Sequence, residues 1–486
     1  MKLYQNLSSR SVWLGAVTFA LTLAHAPAQP AAPGSSPASA QEALKLSPFE
    51  VKDTEGSYTS TMTSSGTRVR ADIRELPFSV GIVTADFIKD FVAFSDYKDS
   101  LAYTSGVVSR GNYNQAYYVR GLQNDGQLRN GFFRAGMFDA VNVDRIEVIK
   151  GPNAGIYGRS SPGGAINVVT KMPTPHWNSS VSARIGPNDF QRFEFGLSGP
   201  LIADKLLFRI DAAKQDEQFY YDFEEQHLTT VSGVLQYRLG SGAKFTFEAD
   251  WLDKLLYAPG AQTMFRRVGG VITGTLAEEL GTFNPRSPNS ENNRVLNSLN
   301  LTFEHQLARN VQLRATAHRS ERPTPSWTNT GDAFYNVETR TVANRRTQLE
   351  DNTTEYKAFQ SDLLVDFEVG PTQHKLLATF DYAKDESRNQ RWRVAQGDRN
   401  NPTYNIGTLS IDAPNYFIAD KPLLRDFFRN DASSGTDKAV FASDRIYFAE
   451  KRGLLLVGVR QNWSTSASEN YLTGGKGGED RDAMTY

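Results

Sequence analysis

Hairpins of one kind recur through the second half of the chain, and they leave few folds open. From Val231 the sequence sets Val231, Gly233, Leu235, Tyr237 and Leu239 against Ser232, Val234, Gln236 and Arg238. After Gly240-Ser241-Gly242 it sets Phe245, Phe247, Ala249 and Trp251 against Thr246, Glu248 and Asp250. A period of two means strands with one apolar and one polar face, and the glycines mark a tight turn. The unit returns as Leu299, Leu301 and Phe303, a turn at 308–310, then Val311, Leu313, Ala315 and Ala317. It returns again as Leu363, Val365 and Phe367, Gly370-Pro371, then Leu376, Ala378, Phe380 and Tyr382. Ile446 and Phe448, the turn Lys451-Arg452-Gly453, then Leu455, Val457 and Val459 make a further copy. Long polar connections separate these hairpins at about 255–294, 321–354 and 386–437. Short turns at one end of a sheet and long loops at the other are the pattern of outer-membrane barrels.

A soluble β-sandwich alternates in the same way. Strands of about ten residues, charged groups on the polar face of strand after strand, and aromatics toward strand ends favour the barrel. No apolar run of about 18 residues follows the N-terminal segment, so no membrane-crossing helix is expected, and a closed sheet is the other solution a bilayer allows. The pattern gives about eleven strands between 179 and 463, including Phe193-Phe195-Leu197 and Leu206-Phe208-Ile210. Glycine-rich, charged 474–486 reads as the start of an external loop. An odd strand count and two unpaired edges make the expected barrel incomplete.

The 486 residues exceed the usual single-domain size, so two domains are expected. A formal net charge of -1 with no basic stripe argues against nucleic-acid binding. The chain has no cysteine, which removes disulfides and thiolate chemistry, and its six histidines show no metal-ligand spacing. The carboxylates form no distinguishable hydrolytic pair. No catalytic residue, resident metal or cofactor is expected, and the chain is not read as an enzyme.

Residues 1–28 read as a secretory signal: Lys2 and Arg10 supply the positive region, 12–24 is a short apolar run, and Ala26-Pro27-Ala28 is the cleavage signal. Residues 29–61 read as a flexible linker rich in Ala, Pro and Ser, interrupted at 46–51 by the β-prone island Leu46-Ser47-Pro48-Phe49-Glu50-Val51. An extended island in a flexible tail suits strand addition to a partner's sheet. The short spacing from the cleavage site leaves no room for an N-terminal signalling domain.

Upstream of the hairpins, Val143-Asp144-Arg145-Ile146-Glu147-Val148-Ile149-Lys150 is a strand stopped by Gly151-Pro152. A turn with Gly155, Tyr157-Gly158 and Ser160-Ser161-Pro162-Gly163-Gly164 leads into the strand 165–170. A phosphate loop would open a helix and carry Gly-Lys-Ser/Thr, so nucleotide binding is not indicated. The order and spacing closely resemble the end of the plug domain of TonB-dependent outer-membrane receptors, the ferric-siderophore branch in particular. That resemblance rests on Glu147, Gly151, Pro152, Tyr157, Gly158, Gly163, Gly164 and Asn167. Tyr118-Val119-Arg120-Gly121-Leu122 and Arg129-Asn130-Gly131-Phe132 are similar to further plug motifs of the family.

The resemblance implies an all-β dominated chain: an α+β plug at 62–173 inside an antiparallel transmembrane β-barrel whose N-terminal part is 174–486. Receptors of the family have twenty-two strands, so about half a barrel is expected. It implies an opening plug strand within 75–84, a first helix at 85–90 and a helix-to-strand turn at 100–107. By the same resemblance, Ser47, Pro48, Phe49, Glu50 and Val51 are the TonB-box-like segment, and Arg120 and Lys150 meet acidic residues of the barrel wall. Tyr113, Asn114, Gln115, Tyr117, Arg129, Phe132, Phe133 and Arg134 are the candidate substrate contacts, suited to an iron chelate through stacking and charge. The implied function is energy-coupled uptake of a ferric siderophore, with TonB, outer-membrane lipid and a siderophore-like ligand as partners and the iron chelate as cargo. Oligosaccharide or cobalamin uptake, and a truncated barrel fragment that transports nothing, are the alternatives. A structural or adhesin barrel would have no use for the plug motif.

Overall fold

The computed structural model describes residues 47–49, 57–91, 101–109, 117–124, 127–134, 138–158, 161–240, 242–260, 264–330, 334–343, 346–394, 408–416, 420–421 and 424–485. The expected signal peptide and most of the linker lie outside the described residues.

Twelve strands form one antiparallel sheet in strict chain order: Asn178–Ile185, Gln191–Ile202, Leu206–Gln218, Glu225–Leu239, Ala243–Tyr257, Glu291–Ala308, Val311–Thr330, Arg346–Val369, Thr372–Val394, Leu424–Phe448, Gly453–Asn470 and Gly475–Thr485. The first and last of these pair on one side only, so the barrel is partial. The short connections from Leu239 to Ala243, at 309–310 and at 370–371 fall where the sequence puts them, and the last, at 449–452, begins two residues earlier than expected, with Gly453 already in the next strand. Strands extending 18 to 25 residues are far longer than the alternation predicts.

Two expectations are corrected here. Residues 475–485 are a strand rather than a loop, paired from Asn470↔Gly475 to Arg460↔Thr485. The connections expected at 321–354 and 386–437 are shorter, because paired strand continues to Thr330 and Val394 and resumes at Arg346 and Leu424. The cause is the same in each case. Beyond the apolar band both faces of a strand are polar, so backbone pairing continues while the side-chain alternation disappears. What is left of three long connections builds a second sheet, ordered Val271–Leu276, Phe265–Val268, Phe334–Asn336, Thr341–Ala343 and Thr408–Ser410. It closes over Met264, Tyr335, Val342 and Leu409.

Burial decides between sandwich and barrel. Ser232, Glu248 and Asp250 on the polar face are 3, 4 and 7% exposed, whereas Leu235, Phe247 and Leu301 on the apolar face are 45, 42 and 48% exposed. A soluble sandwich buries the opposite face. Here the sheet turns its apolar side outward, as a lipid-facing wall does. No helix among the described residues is long and apolar enough to cross a membrane.

Against the polar face sits the plug. Its sheet runs Ser79–Thr84, Val143–Lys150, Gly164–Thr170, Gln127–Arg129 and Phe132–Arg134, with the third and fourth strands parallel. The helix Ala85–Phe91 covers it. Ile146, Val148, Ile166 and Val168 are fully buried with Val83, Ile88, Leu101 and Tyr117, an ordinary apolar core. Two hairpin turns give the plug motifs their shape. Arg120-Gly121 joins Tyr117–Val119 to Leu122–Asn124, and Asn130-Gly131 joins Gln127–Arg129 to Phe132–Arg134, each with positive φ at both residues. Two-residue hairpins of this hand favour Asn-Gly, and Arg120 occupies the costlier first position of the other.

Candidate functional site

The glycine-rich motif earns its residue types by close approach. A Cβ at Gly163 would run into the carbonyl of Val119, and one at Gly164 into that of Ile149; Gly164 also has φ +146. Gly151, at φ +113, donates to Gly163 O at 2.9 Å and closes the turn around the short helix Ala154–Tyr157. Pro152 is exposed in that turn. Gly158, at φ +73, lies against the guanidinium of Arg460 on the wall.

Glu147 is the hub of the plug's interior. Fully buried, it accepts from Thr63 Oγ1 at 2.7 Å, Arg145 Nε at 2.6 Å and the hydroxyl of Ser65. Asn167 donates to Ser65 Oγ at 2.7 Å and accepts from Gly131 N at 2.9 Å. Tyr157 donates its hydroxyl to Ser65 O, and burial raises its phenol above the ordinary range. A buried carboxylate is tolerable only with such a set of donors, and these tie the 57–72 segment to the central strands.

Two polar nodes fasten the plug to the wall. At the first, Glu248 and Asp250 project inward from one strand. Arg129 meets Asp250 at 2.6 Å and Glu248 at 3.5 Å. Asn130 Nδ2 and Thr170 Oγ1 donate to Glu248 at 3.1 and 2.9 Å, and Asn142 Nδ2 donates to Asp250 at 2.8 Å. Nearby, Arg192 of the wall holds Asp139 with two bonds of 2.6 and 3.0 Å. Burial alone would raise the Asp139 carboxyl, but Arg192 and the Val141 amide hold it below the usual carboxylate range.

The second node is built on Arg68, held in a left-handed conformation at φ 59. Its guanidinium binds both oxygens of Asp381 at 2.8 and 2.9 Å and donates from Nε to Ile156 O at 3.0 Å. Arg460 reaches the same Asp381 at 2.6 Å. Arg314 pairs with Asp362 at 2.6 Å, donates to Arg68 O at 3.2 Å and lies 4.3 Å over the ring of Phe49. Burial would lower the Arg68 guanidinium, yet Asp381 and Asp362 hold it firmly protonated.

Each predicted site residue has a place. Of the TonB-box-like five, Glu50 and Val51 lie outside the described residues. Ser47 Oγ accepts from Phe49 N, Pro48 O accepts from Arg70 N at 2.7 Å, and Phe49 is 7% exposed among Val69, Leu364, Leu377 and Phe441. Arg120 is exposed, with its guanidinium beside Gly151, and Lys150 ends the central plug strand alongside Gly81. Neither makes an ion pair with the wall among the described residues. Tyr113, Asn114 and Gln115 lie outside the described residues. Tyr117 is fully buried in the plug core, Arg129 is in the first node, and Phe132 stacks 5.7 Å from His318 of the wall. Phe133 and Arg134 lie in the strand beyond it. No pattern in the sequence singles out Arg68, Asp139 or Asn142. The polar-face charges that receive them are visible as a class, but their pairing across as many as 313 residues is not.

The plug pattern matches known proteins directly. The TonB-dependent receptor plug domain matches residues 72–165. A ferric-pyoverdine 358 receptor of Pseudomonas putida is 30% identical over 202 residues, covering 38% of this chain and 24% of that protein. A metal-pseudopaline receptor, CntO, of Pseudomonas aeruginosa is 24% identical over 420 residues, 83% of this chain and 56% of that one. Among solved structures, the pyoverdine outer-membrane receptor FpvA of P. aeruginosa PAO1 superimposes with a TM-score of 0.76 at 20% identity, covering 88% of this chain and 62% of that one. The chain spans between a quarter and just over half the length of these curated relatives.

Proposed function

We propose that this chain, which carries a TonB-dependent receptor plug seated on the wall of an outer-membrane siderophore-receptor fold, serves energy-coupled uptake of a ferric siderophore. One observation carries the reading: the plug's main apolar core is its own, and its two nodes on the wall are built of ion pairs and hydrogen bonds, with apolar contact limited to the small patch where Phe49 and Val69 meet Leu364, Leu377 and Phe441 and to Phe132 against His318. Polar contacts can be exchanged for water when they part, whereas an apolar interface would expose its greasy faces. A plug held in this way can be displaced and can return.

Domain roles follow: residues 1–28 direct export, 29–61 form the tether, 62–173 the gate and 174–486 the wall. The 47–51 segment is the handle for TonB, and in the structure its Phe49 is stowed on the wall beneath Arg314. Withdrawing Phe49 removes a partner of Arg314, which also holds Asp362 and the Arg68 carbonyl, so a pull on the handle reaches the second node. Residues 113–115, Phe132, Phe133 and Arg134 supply the plug side of the ligand pocket, with Tyr117 and Arg129 as its frame. The ferric chelate is cargo, and its passage needs no covalent step.

Outer membranes from source cells with and without the intact gene are titrated with iron-loaded hydroxamate and mixed catecholate siderophores. Saturable binding that disappears with the gene, and iron uptake that collapses when the proton gradient is discharged, is the expected result. Gene-dependent binding of cobalamin or an oligosaccharide in place of every iron chelate would overturn it.

A further inference from the structure

At the short-turn end of the wall, three side chains on the outward face line up as a hydroxyl, an imidazole and a carboxylate. Thr372 Oγ1 lies 2.9 Å from His374 Nε2, and His374 Nδ1 lies 2.6 Å from Asp444 Oδ2. The alternation of the two strands sets the face: Phe380 and Val440, in the same phase as His374 and Asp444, are 44 and 47% exposed, while Leu377 and Thr379 are buried. His374 is stacked 4.8 Å from Phe367 on one side and paired with Ile446 on the other. Asp444 stands between Leu376 and Val457, and its Oδ1 is shielded, with no hydrogen-bond partner among the described residues. His374 and Asp444 lie 70 residues apart, so no local motif announces the set.

An ionisable group among lipid-facing apolar residues is costly and marks a functional position. Position also gives the substrate. Thr372 follows the exposed turn Gly370-Pro371, and the lipid-facing run Leu376, Ala378, Phe380 and Tyr382 begins two residues beyond His374. Short turns face the periplasm. The three side chains thus stand where acyl chains meet head groups, at the level of a phospholipid's ester bonds. The imidazole is within reach of the hydroxyl proton, and the carboxylate orients the ring and stabilises the imidazolium that forms when it takes that proton. The Thr372 hydroxyl also donates to Val369 O at 2.7 Å, and rotation about its Cβ–Oγ bond turns the proton from that carbonyl to the imidazole.

We propose that Thr372 and His374, with Asp444 as the positioning residue, form a lipid-facing site that hydrolyses acyl esters of phospholipids in the periplasmic leaflet. Thr372 Oγ1 adds to the ester carbonyl carbon as its proton passes to His374 Nε2. The bond from that carbon to the alkoxy oxygen breaks, and the departing lysophospholipid oxygen takes the proton from Nε2. Water then adds to the acyl-threonine, giving a proton to Nε2, and the fatty acid leaves as Thr372 recovers that proton. The activity goes beyond the uptake reading and needs only that the wall lies in a membrane.

The test uses the whole chain, purified from outer membranes and reconstituted in vesicles of diacyl phosphatidylethanolamine with labelled acyl chains. Release of labelled fatty acid is expected, with an acyl group on Thr372 in acid-quenched samples read by mass spectrometry. Thr372→Val keeps the side chain's shape and is expected to lose at least roughly a hundredfold in rate, whereas Thr372→Ser is expected to remain active. His374→Gln is expected to lose at least roughly a hundredfold, which keeps the test informative if one variant inserts poorly. Asp444→Asn is expected to lower kcat with KM unchanged, and Asp444→Glu to recover part of it, a split that a merely structural pair would not show. No fatty acid release by the native chain, equal release by native and Thr372→Val chains, or an acyl group found on another residue would each overturn the assignment.

Discussion

The plug core and the wall share one sequence code and bury opposite halves of it. In the plug strand Val143–Lys150, Ile146 and Val148 are fully buried. In the wall strands, Phe247, Leu301 and Phe380 are 42, 48 and 44% exposed, while Glu248 and Thr246 beside them are buried. A plug residue is covered by other parts of the plug, and an outward wall residue by lipid. The period of two states that a strand has two faces, and the medium on each side decides which face is inside.

That difference can be broken most sharply by placing a charge on each apolar face. Val148→Asp puts an unpaired carboxylate where no water reaches and is expected to cost more than about 4 kcal/mol, unfolding the plug in detergent and in membranes alike. Leu301→Arg is expected to cost about 2–4 kcal/mol in a bilayer and little in detergent, where the long side chain finds solvent. Urea titrations of both variants in both media check this. Equal losses for Leu301→Arg in the two media would mean that its face does not meet lipid.

A smaller effect separates charges inside the interface from those beside it. Arg68→Ala leaves Asp381 with only Arg460 as a guanidinium partner and is expected to cost about 3 kcal/mol, read as plug release at lower urea and as proteolysis of the 57–72 segment. Arg120→Ala, at an exposed turn, is expected to stay within about 0.5 kcal/mol of the native chain. The reverse order would place the plug's anchor at Arg120.

The smallest expected effect lies in the external connections, outside both cores. Burial pushes the Glu224 carboxyl up to about 7, against the opposing pull of the Gly260 amide and Arg286. A raised carboxyl favours the folded state most when it is protonated. That stabilisation is complete below about 4.5 and is lost as pH rises through about 7. Amide protection of Asp222 and Ala258, bonded to Thr282 O and Ser290 O, should therefore fall between pH 5 and pH 8. Glu224→Gln should flatten that fall, and an unchanged slope in the variant would assign the pH dependence elsewhere.

Much of this architecture is legible in the sequence. Short turns at 240–242 and 370–371 and the strand either side of the glycine motif are local matters, set by neighbours two residues apart or by a missing Cβ. The final strand at 475–485 was not legible, because glycine and charge give no alternation and only its partner's backbone holds it. Asn167 and Glu147 were visible as motif residues, yet their work as a buried donor–acceptor hub with Ser65 and Thr63 was not. Arg129 is expected among the substrate contacts, and in the structure it is 1% exposed against Asp250.

By itself the sequence determined a strand-built wall with two unlike faces, tight turns at one end, and a plug whose glycines permit backbone to lie on backbone. These follow from side-chain periodicity and steric exclusion, which act within a few residues. The tertiary structure decided which face looks outward, how far the strands run past the apolar band, and which of many polar-face charges hold the plug. Those outcomes depend on groups brought together across hundreds of residues, where burial and electrostatic partners exist only once the sheet has curved around the plug.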